Sequence, residues 1–141
     1  SAPAPAWEVP KGLRVLVVDD EAPLRELIAE ALTGRGGRVE KAGSGHEALE
    51  VLARFPADVL VLDIMMPEMN GTDLWKRING ASPALAQRTV FCTGDVVREE
   101  VRSFIAGTGC PTVSKPFELT RLLDAVAEFR RRSSLPVILR P

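Results

Sequence analysis

Residues 13–32 read LRVLVVDDEAPLRELIAEAL, and the change of period inside that stretch decides the fold. Leu13–Val18 is, apart from Arg14, an apolar, β-branched run, the pattern of a strand buried on both faces. Three acids, Asp19, Asp20 and Glu21, close it. Pro23 stands where a first helical turn tolerates it, and Leu24, Leu27, Ile28, Ala31 and Leu32 then recur at helical spacing. Gly34, Gly36 and Gly37 stop the helix. A buried strand that passes at once into an amphipathic helix is the first half of a β-α-β unit.

The alternation continues outward. Arg38–Ala42 reads as a short, more exposed strand. Ser44 and Glu47 are spaced as a capping box, and Ala48, Leu49, Leu52 and Phe55 form the stripe of a second helix that Pro56 ends. Asp58–Leu62 is a third strand, followed by a loop with Met65, Met66, Pro67 and an Asn70–Gly71 turn, then a short helix over Thr72–Ile78. Thr89–Thr93 is a fourth strand, Val96–Ala106 a fourth helix, Pro111–Ser114 a fifth strand and Glu118–Arg131 a last helix. Five strands, mostly apolar blocks, separated by helices predict an α/β fold with a parallel sheet covered on both faces. Right-handed crossovers narrow it to a doubly wound (βα)5 sandwich, and five strands favour the flavodoxin-like order 2-1-3-4-5.

The 141 residues suit one domain, and 45% hydrophobic content fills a core at that length. Residues 1–11 (SAPAPAWEVPK) read as an extended linker, with Trp7 able to dock on the domain. Residues 12–132 form the folded unit, and 133–141 (SSLPVILRP) an irregular tail too short for a DNA-binding module. Eighteen Lys and Arg against nineteen Asp and Glu give a net charge of −1, which argues against nucleic acid as the main partner. No apolar run has the length of a membrane span. Cys92 and Cys110 are too few for a disulfide scaffold or a four-thiolate zinc site, so buried free thiols in a reducing cytoplasm are expected.

In this fold, ligands bind beyond the carboxyl ends of the strands, near the switch between strands 1 and 3. Strand 1 ends in Asp19, Asp20 and Glu21, strand 3 in Asp63, strand 4 in Thr93 and Gly94, and strand 5 in Ser114, Lys115 and Pro116. Crowded carboxylates repel and call for a hard cation, and oxygen ligands select Mg2+ or Mn2+ over zinc. A carboxylate can also be the nucleophile that forms an aspartyl phosphate. The cation, an ammonium and a hydroxyl can then stabilise charge on the transferring group. His46, the only histidine, falls in the first turn of the second helix, away from this rim, and reads as a solvated surface residue. Met65, Met66 and Met69 read as packing and loop anchors, Trp75 as a packing residue, and Arg130–Arg132 as a solvated helix end.

VLVVDDE (15–21), VLVLDIMMPEMNG (59–71), FCTG (91–94) and SKPF (114–117) together resemble the receiver domain of two-component response regulators. The resemblance covers about residues 12–132, and its force lies in four motifs in order, each at a strand end. It implies that Asp63 accepts a phosphoryl group from a histidine kinase or a histidine phosphotransfer domain. It implies Mg2+ held directly by Asp20, through water by Asp19, and by Asp63 and the backbone carbonyl of Met65, with Mn2+ as a substitute. Thr93 would bond a phosphoryl oxygen and Lys115 would pair first with Asp63, then with the phosphoryl group, aimed by a cis bond before Pro116. Such a domain is a signalling module with slow self-catalysed phosphoryl chemistry, and its contacts run over the fourth helix, fifth strand and fifth helix, as a partner surface or a dimer face.

The sequence departs from the family at Thr112, where an aromatic that moves on phosphorylation commonly stands, and the chain has no Tyr. Either another side chain reports phosphorylation or the domain relays phosphate with little change of shape. GCPTVSKPF (109–117) and the Pro/Ala lead-in resemble receivers joined to hybrid sensor histidine kinases, and the Arg and Ala content points to a bacterial source. The rival readings are a non-phosphorylated scaffold and a haloacid-dehalogenase-type phosphatase. The second needs an Asp two residues after the nucleophile, where this chain has Met65. A flavin module on the same fold would meet three acids after strand 1 instead of a phosphate cradle.

Overall fold

The computed structural model describes residues 9–94, 97–115 and 119–130. Trp7, Pro116 and its preceding bond, Arg131, Arg132 and the tail lie outside the described residues, as does most of the linker. Five strands form one parallel sheet: β1 (Arg14–Val18), β2 (Arg38–Ala42), β3 (Val59–Asp63), β4 (Thr89–Thr93) and β5 (Thr112–Ser114). Their order is β2-β1-β3-β4-β5, the order expected for five such strands. The helices are α1 (Ala22–Gly34), α2 (Gly45–Leu52), α3 (Gly71–Ala81), the single turn α4 (Pro83–Ala86), α5 (Glu99–Thr108) and α6 (Leu119–Ala127).

Alternate residues of each strand feed two cores, because strand side chains alternate between faces. On one face Leu16, Val18, Leu60, Leu62 and Phe91 pack with α2, α3 and α5. On the other, Val15, Val17, Val59, Val61, Val90 and Val113 pack with Ile28 and Leu32 of α1 and Leu122, Leu123 and Val126 of α6. β3 and β4 are buried along their whole length, whereas β2, at the edge, is mostly accessible. Val9, inside the expected linker, is buried in the second core and its amide donates to the Arg35 carbonyl.

Several boundaries differ from expectation. β3 is shifted by one residue, because Asp58 serves as a buried acceptor instead of a ladder residue. Its carboxylate takes the Arg14 amide at 2.7 Å and the Arg14 guanidinium at 3.0 and 2.9 Å. Such a pair contributes register more surely than net stability, since desolvation offsets its attraction. α3 runs three residues past Ile78, and the turn α4 was not anticipated. Ser82 explains both: its hydroxyl accepts the Leu85 amide at 3.2 Å and Pro83 opens the new turn. The helix expected at Val96 begins at Glu99, and the last helix ends at Ala127, short of Arg131.

The capping box forms with a displaced partner. Ser44 Oγ accepts the Glu47 amide, while Glu47 reaches the amide of Gly43. Cys92 and Cys110 are buried and free. Trp75 is buried, donates from Nε1 to the Ala86 carbonyl and meets Phe104 edge-on. Among the described residues no helix is long and apolar enough to cross a membrane.

Candidate functional site

Parallel strands end together, so their last residues share one rim. The amide of Asp19 extends the β1–β2 ladder to the Ala42 carbonyl, Asp63 is paired in register with Cys92, and Thr93 with Ser114. The Lys115 amide then donates to the Thr93 carbonyl, which carries the lysine one residue past its strand and over the pocket. Asp19, Asp20, Asp63, Thr93 and Lys115 are thus delivered by four adjacent strands, as their positions predicted.

One carboxylate oxygen from each of Asp19, Asp20 and Asp63 lies within 4.8 Å of the other two. Lys115 Nζ bridges two of these acids, at 3.0 Å from Asp19 Oδ2 and 3.3 Å from Asp63 Oδ2, and stands 3.6 Å from Glu21. The lysine therefore pairs first with Asp19 and only then with Asp63. Asp19 is committed at every polar atom: Oδ1 accepts the Glu21 amide at 2.8 Å and its carbonyl accepts Arg25 Nη1 at 2.8 Å. Asp20, by contrast, is exposed. Asp63 is only 3% exposed, and its Oδ1 accepts the Met65 amide at 3.1 Å. Met65 is 57% exposed, so its side chain is no packing anchor; Met66 and Met69 do pack on the core.

Electrostatics follow from crowding. Burial and then the charge of Asp19 push the Asp63 carboxyl up to about 7, against the opposing pull of the Met65 amide and Lys115. Burial lowers the Lys115 ammonium, but the hydrogen bond to Asp19 and the charge of Asp63 carry it above the usual lysine range. The pocket so holds more carboxylate than one ammonium neutralises. Oxygen donors this close, with one of the three acids open to water, fit a hard divalent cation. Burial also pushes the Cys92 thiol, behind Asp63, up to about 12, so it is no competing nucleophile.

Gly71 carries a constraint that the Asn70–Gly71 turn alone did not reveal. It is the first residue of α3, its amide donates to the Ile64 carbonyl, and a Cβ there would stand 2.5 Å from the Asp63 carbonyl oxygen and 2.7 Å from Ile64 Cα. Replacing a helical Gly by Ala would ordinarily help by about 1 kcal/mol. Here the obstruction is backbone, which cannot swing aside. Gly71→Ala is expected to destabilise by about 3 kcal/mol, lowering the thermal midpoint by about 10 °C. Thermal unfolding followed by circular dichroism reads it.

The remaining candidates stay away from the rim. His46 is exposed in the first turn of α2. Thr112 is exposed on β5, so no aromatic ring stands there. The residue that sequence reasoning passed over is Arg25. A helical stripe is read from its apolar positions, and nothing in the spacing announces a side chain that folds back onto the preceding turn.

A family model described as the response regulator receiver domain matches residues 15–127. The response regulator MprA of Mycobacterium leprae (strain TN) is 36% identical over 121 residues, covering 86% of this chain and 52% of that protein. The probable transcriptional regulatory protein TcrX of Mycobacterium tuberculosis (strain ATCC 25618 / H37Rv) is 32% identical over 124 residues, covering 88% of this chain and 52% of that protein. The chain spans about half the length of these curated relatives. A response regulator receiver protein from Pseudomonas putida has a solved structure that superposes with a TM-score of 0.76 at 29% identity, covering 85% of this chain and 99% of that one.

Proposed function

Because the chain belongs to the response regulator receiver domain family of two-component signalling, we propose that Asp63 accepts a phosphoryl group from a phosphohistidine on a partner protein. The donor is a histidine kinase or a histidine phosphotransfer domain. The observation that carries this is the bridge of Lys115 between Asp19 and Asp63 beside the exposed Asp20. One nucleophilic carboxylate is held in place, a second is fully occupied, and a third is left to take a cation.

A carboxylate oxygen of Asp63 attacks phosphorus. The P–O bond forms as the P–N bond breaks, and the departing imidazole nitrogen takes a proton from water. Lys115 follows the charge onto the phosphoryl oxygens, and Thr93, buried at the end of β4, donates its hydroxyl to one of them. Asp20, Asp63 and the Met65 carbonyl would hold Mg2+, with Asp19, the acid nearest the Lys115 ammonium, acting through water. Mg2+ at that position supplies charge neutralisation for the carboxylates and for the transferring group. Slow loss of the acyl phosphate to water, or its onward transfer, ends the signal. The face formed by α5, β5 and α6 is assigned to partner contact.

The test is uptake of phosphoryl from acetyl phosphate, read by intact mass. One phosphoryl group is expected with Mg2+ and none with chelator. No uptake in either condition, in a chain that still binds Mg2+, would leave a scaffold that uses the fold without the chemistry.

A further inference from the structure

Arg25 sits in the second turn of α1, yet its side chain serves the turn before the helix. Nη1 donates to the Asp19 carbonyl at 2.8 Å, while the Arg25 amide donates to the Glu21 carbonyl. The same guanidinium reaches the loop after β2. A Cβ placed on Gly43 would stand 3.0 Å from Arg25 Nη1 and 3.6 Å from Glu47 Oε2. The space that a side chain at position 43 would fill is therefore taken by the guanidinium, and the Gly43 amide is tied down by Glu47 at 3.2 Å. Arg25 is a strut between the acid-bearing turn and the loop between β2 and α2. Asp20, the exposed acid, hangs between Asp19 and Glu21, two residues that Arg25 bonds through their backbone or its own. Its aim follows from how that turn is held.

We propose that Arg25 is a positioning residue for the divalent cation site, keeping the 19–21 turn in the form that holds the Asp20 carboxylate within reach of Asp63. The proposal rests on the reading that the acid pocket takes Mg2+. Partners that orient metal ligands commonly matter by ten- to a hundredfold in affinity. The sign separates this role from simple electrostatics. A bystander positive charge near the pocket repels Mg2+, so its removal would tighten binding; loss of a strut weakens it.

The experiment is calorimetric titration of the 141-residue chain with MgCl2 at fixed ionic strength, alongside thermal unfolding in chelator. Arg25→Met is expected to weaken Mg2+ binding about tenfold. Arg25→Lys, which keeps the charge and one donor for the Asp19 carbonyl, stays within about threefold of wild type. Gly43→Ala, which displaces only the guanidinium, gives an intermediate loss. The double variant binds no worse than Arg25→Met alone, because both changes break the same strut. Arg25→Met binding Mg2+ as tightly as wild type or tighter overturns the proposal. Should Arg25→Met not fold, unchanged Mg2+ affinity in Gly43→Ala overturns it as well. A wild-type chain that takes no Mg2+ overturns the acid-pocket reading and this inference with it; wild-type binding with unaffected variants overturns this inference alone.

Discussion

Asp63→Asn is expected to abolish phosphoryl uptake from acetyl phosphate, leaving the intact mass unchanged where the wild-type chain gains one phosphoryl group. The amide has nearly the shape of the carboxylate, and its oxygen can still accept the Met65 amide that Asp63 Oδ1 accepts at 3.1 Å. Folding is therefore retained while the nucleophile is lost, since a neutral amide oxygen is a poor attacker at phosphorus. No neighbour can replace it at the same position. Asp19 is 2% exposed, with its carboxylate divided between the Glu21 amide and Lys115. Asp20 faces water at the end of a different strand. A residual gain of mass in Asp63→Asn would move the acceptor to one of those two acids.

Lys115→Met is expected to change two quantities in opposite directions. The ammonium lies 3.0 Å from Asp19 and 3.3 Å from Asp63 and is only 16% exposed, so water screens it little. Removing it leaves Asp19 and Asp63 without their shared cation, and Mg2+ binding tightens by roughly tenfold, well within the few kcal/mol of a unit charge at this range. Phosphoryl uptake at saturating Mg2+ slows by about a hundredfold or more, as when a preorganised donor is taken from developing negative charge. Titration calorimetry reads the first effect and the rate of mass gain reads the second. Parallel losses of both would mean that Lys115 only holds the pocket together.

The rim was legible because it depends on strand ends, and strand ends are where apolar runs stop. Val18 to Asp19, Leu62 to Asp63 and Cys92 to Thr93 are sharp changes of character in the sequence, and a parallel sheet aligns them. Asp58 was misread as the first residue of its strand because its local context, followed by four apolar residues, is that of a strand start. Its buried partnership with Arg14 spans 44 positions and has no local sign. α4 did have a sign, Ser82 followed by Pro83, but a single turn carries no hydrophobic period. Lys115 was expected against Asp63, and its shorter contact with Asp19 depends on how the turn after β1 is held. Gly71 and Gly43 look like ordinary turn glycines until the Asp63 backbone and the Arg25 guanidinium are found against them.

Thr112 bears on signalling. An exposed threonine on β5 offers no ring at that position. Among the described residues, Phe91, Phe104 and Trp75 form an aromatic cluster on that side of the sheet, joined edge to face at 5.5 and 6.2 Å between ring centroids. Phe104 belongs to α5, on the face assigned to partner contact. On the reading that Asp63 is phosphorylated, a signal leaving through this face would meet that packed cluster.

The most direct measurement is chemical identification of the modified residue. The chain is treated with acetyl phosphate and Mg2+, reduced with borohydride, which converts an aspartyl phosphate to homoserine, and mapped by peptide mass spectrometry. Homoserine at position 63, in the peptide carrying VLVLDIMMPEMNG, and nowhere else is the expected result. Homoserine at position 19 or 20, or none at all in a folded chain that binds Mg2+, would contradict the assignment of Asp63 as the phosphoryl acceptor.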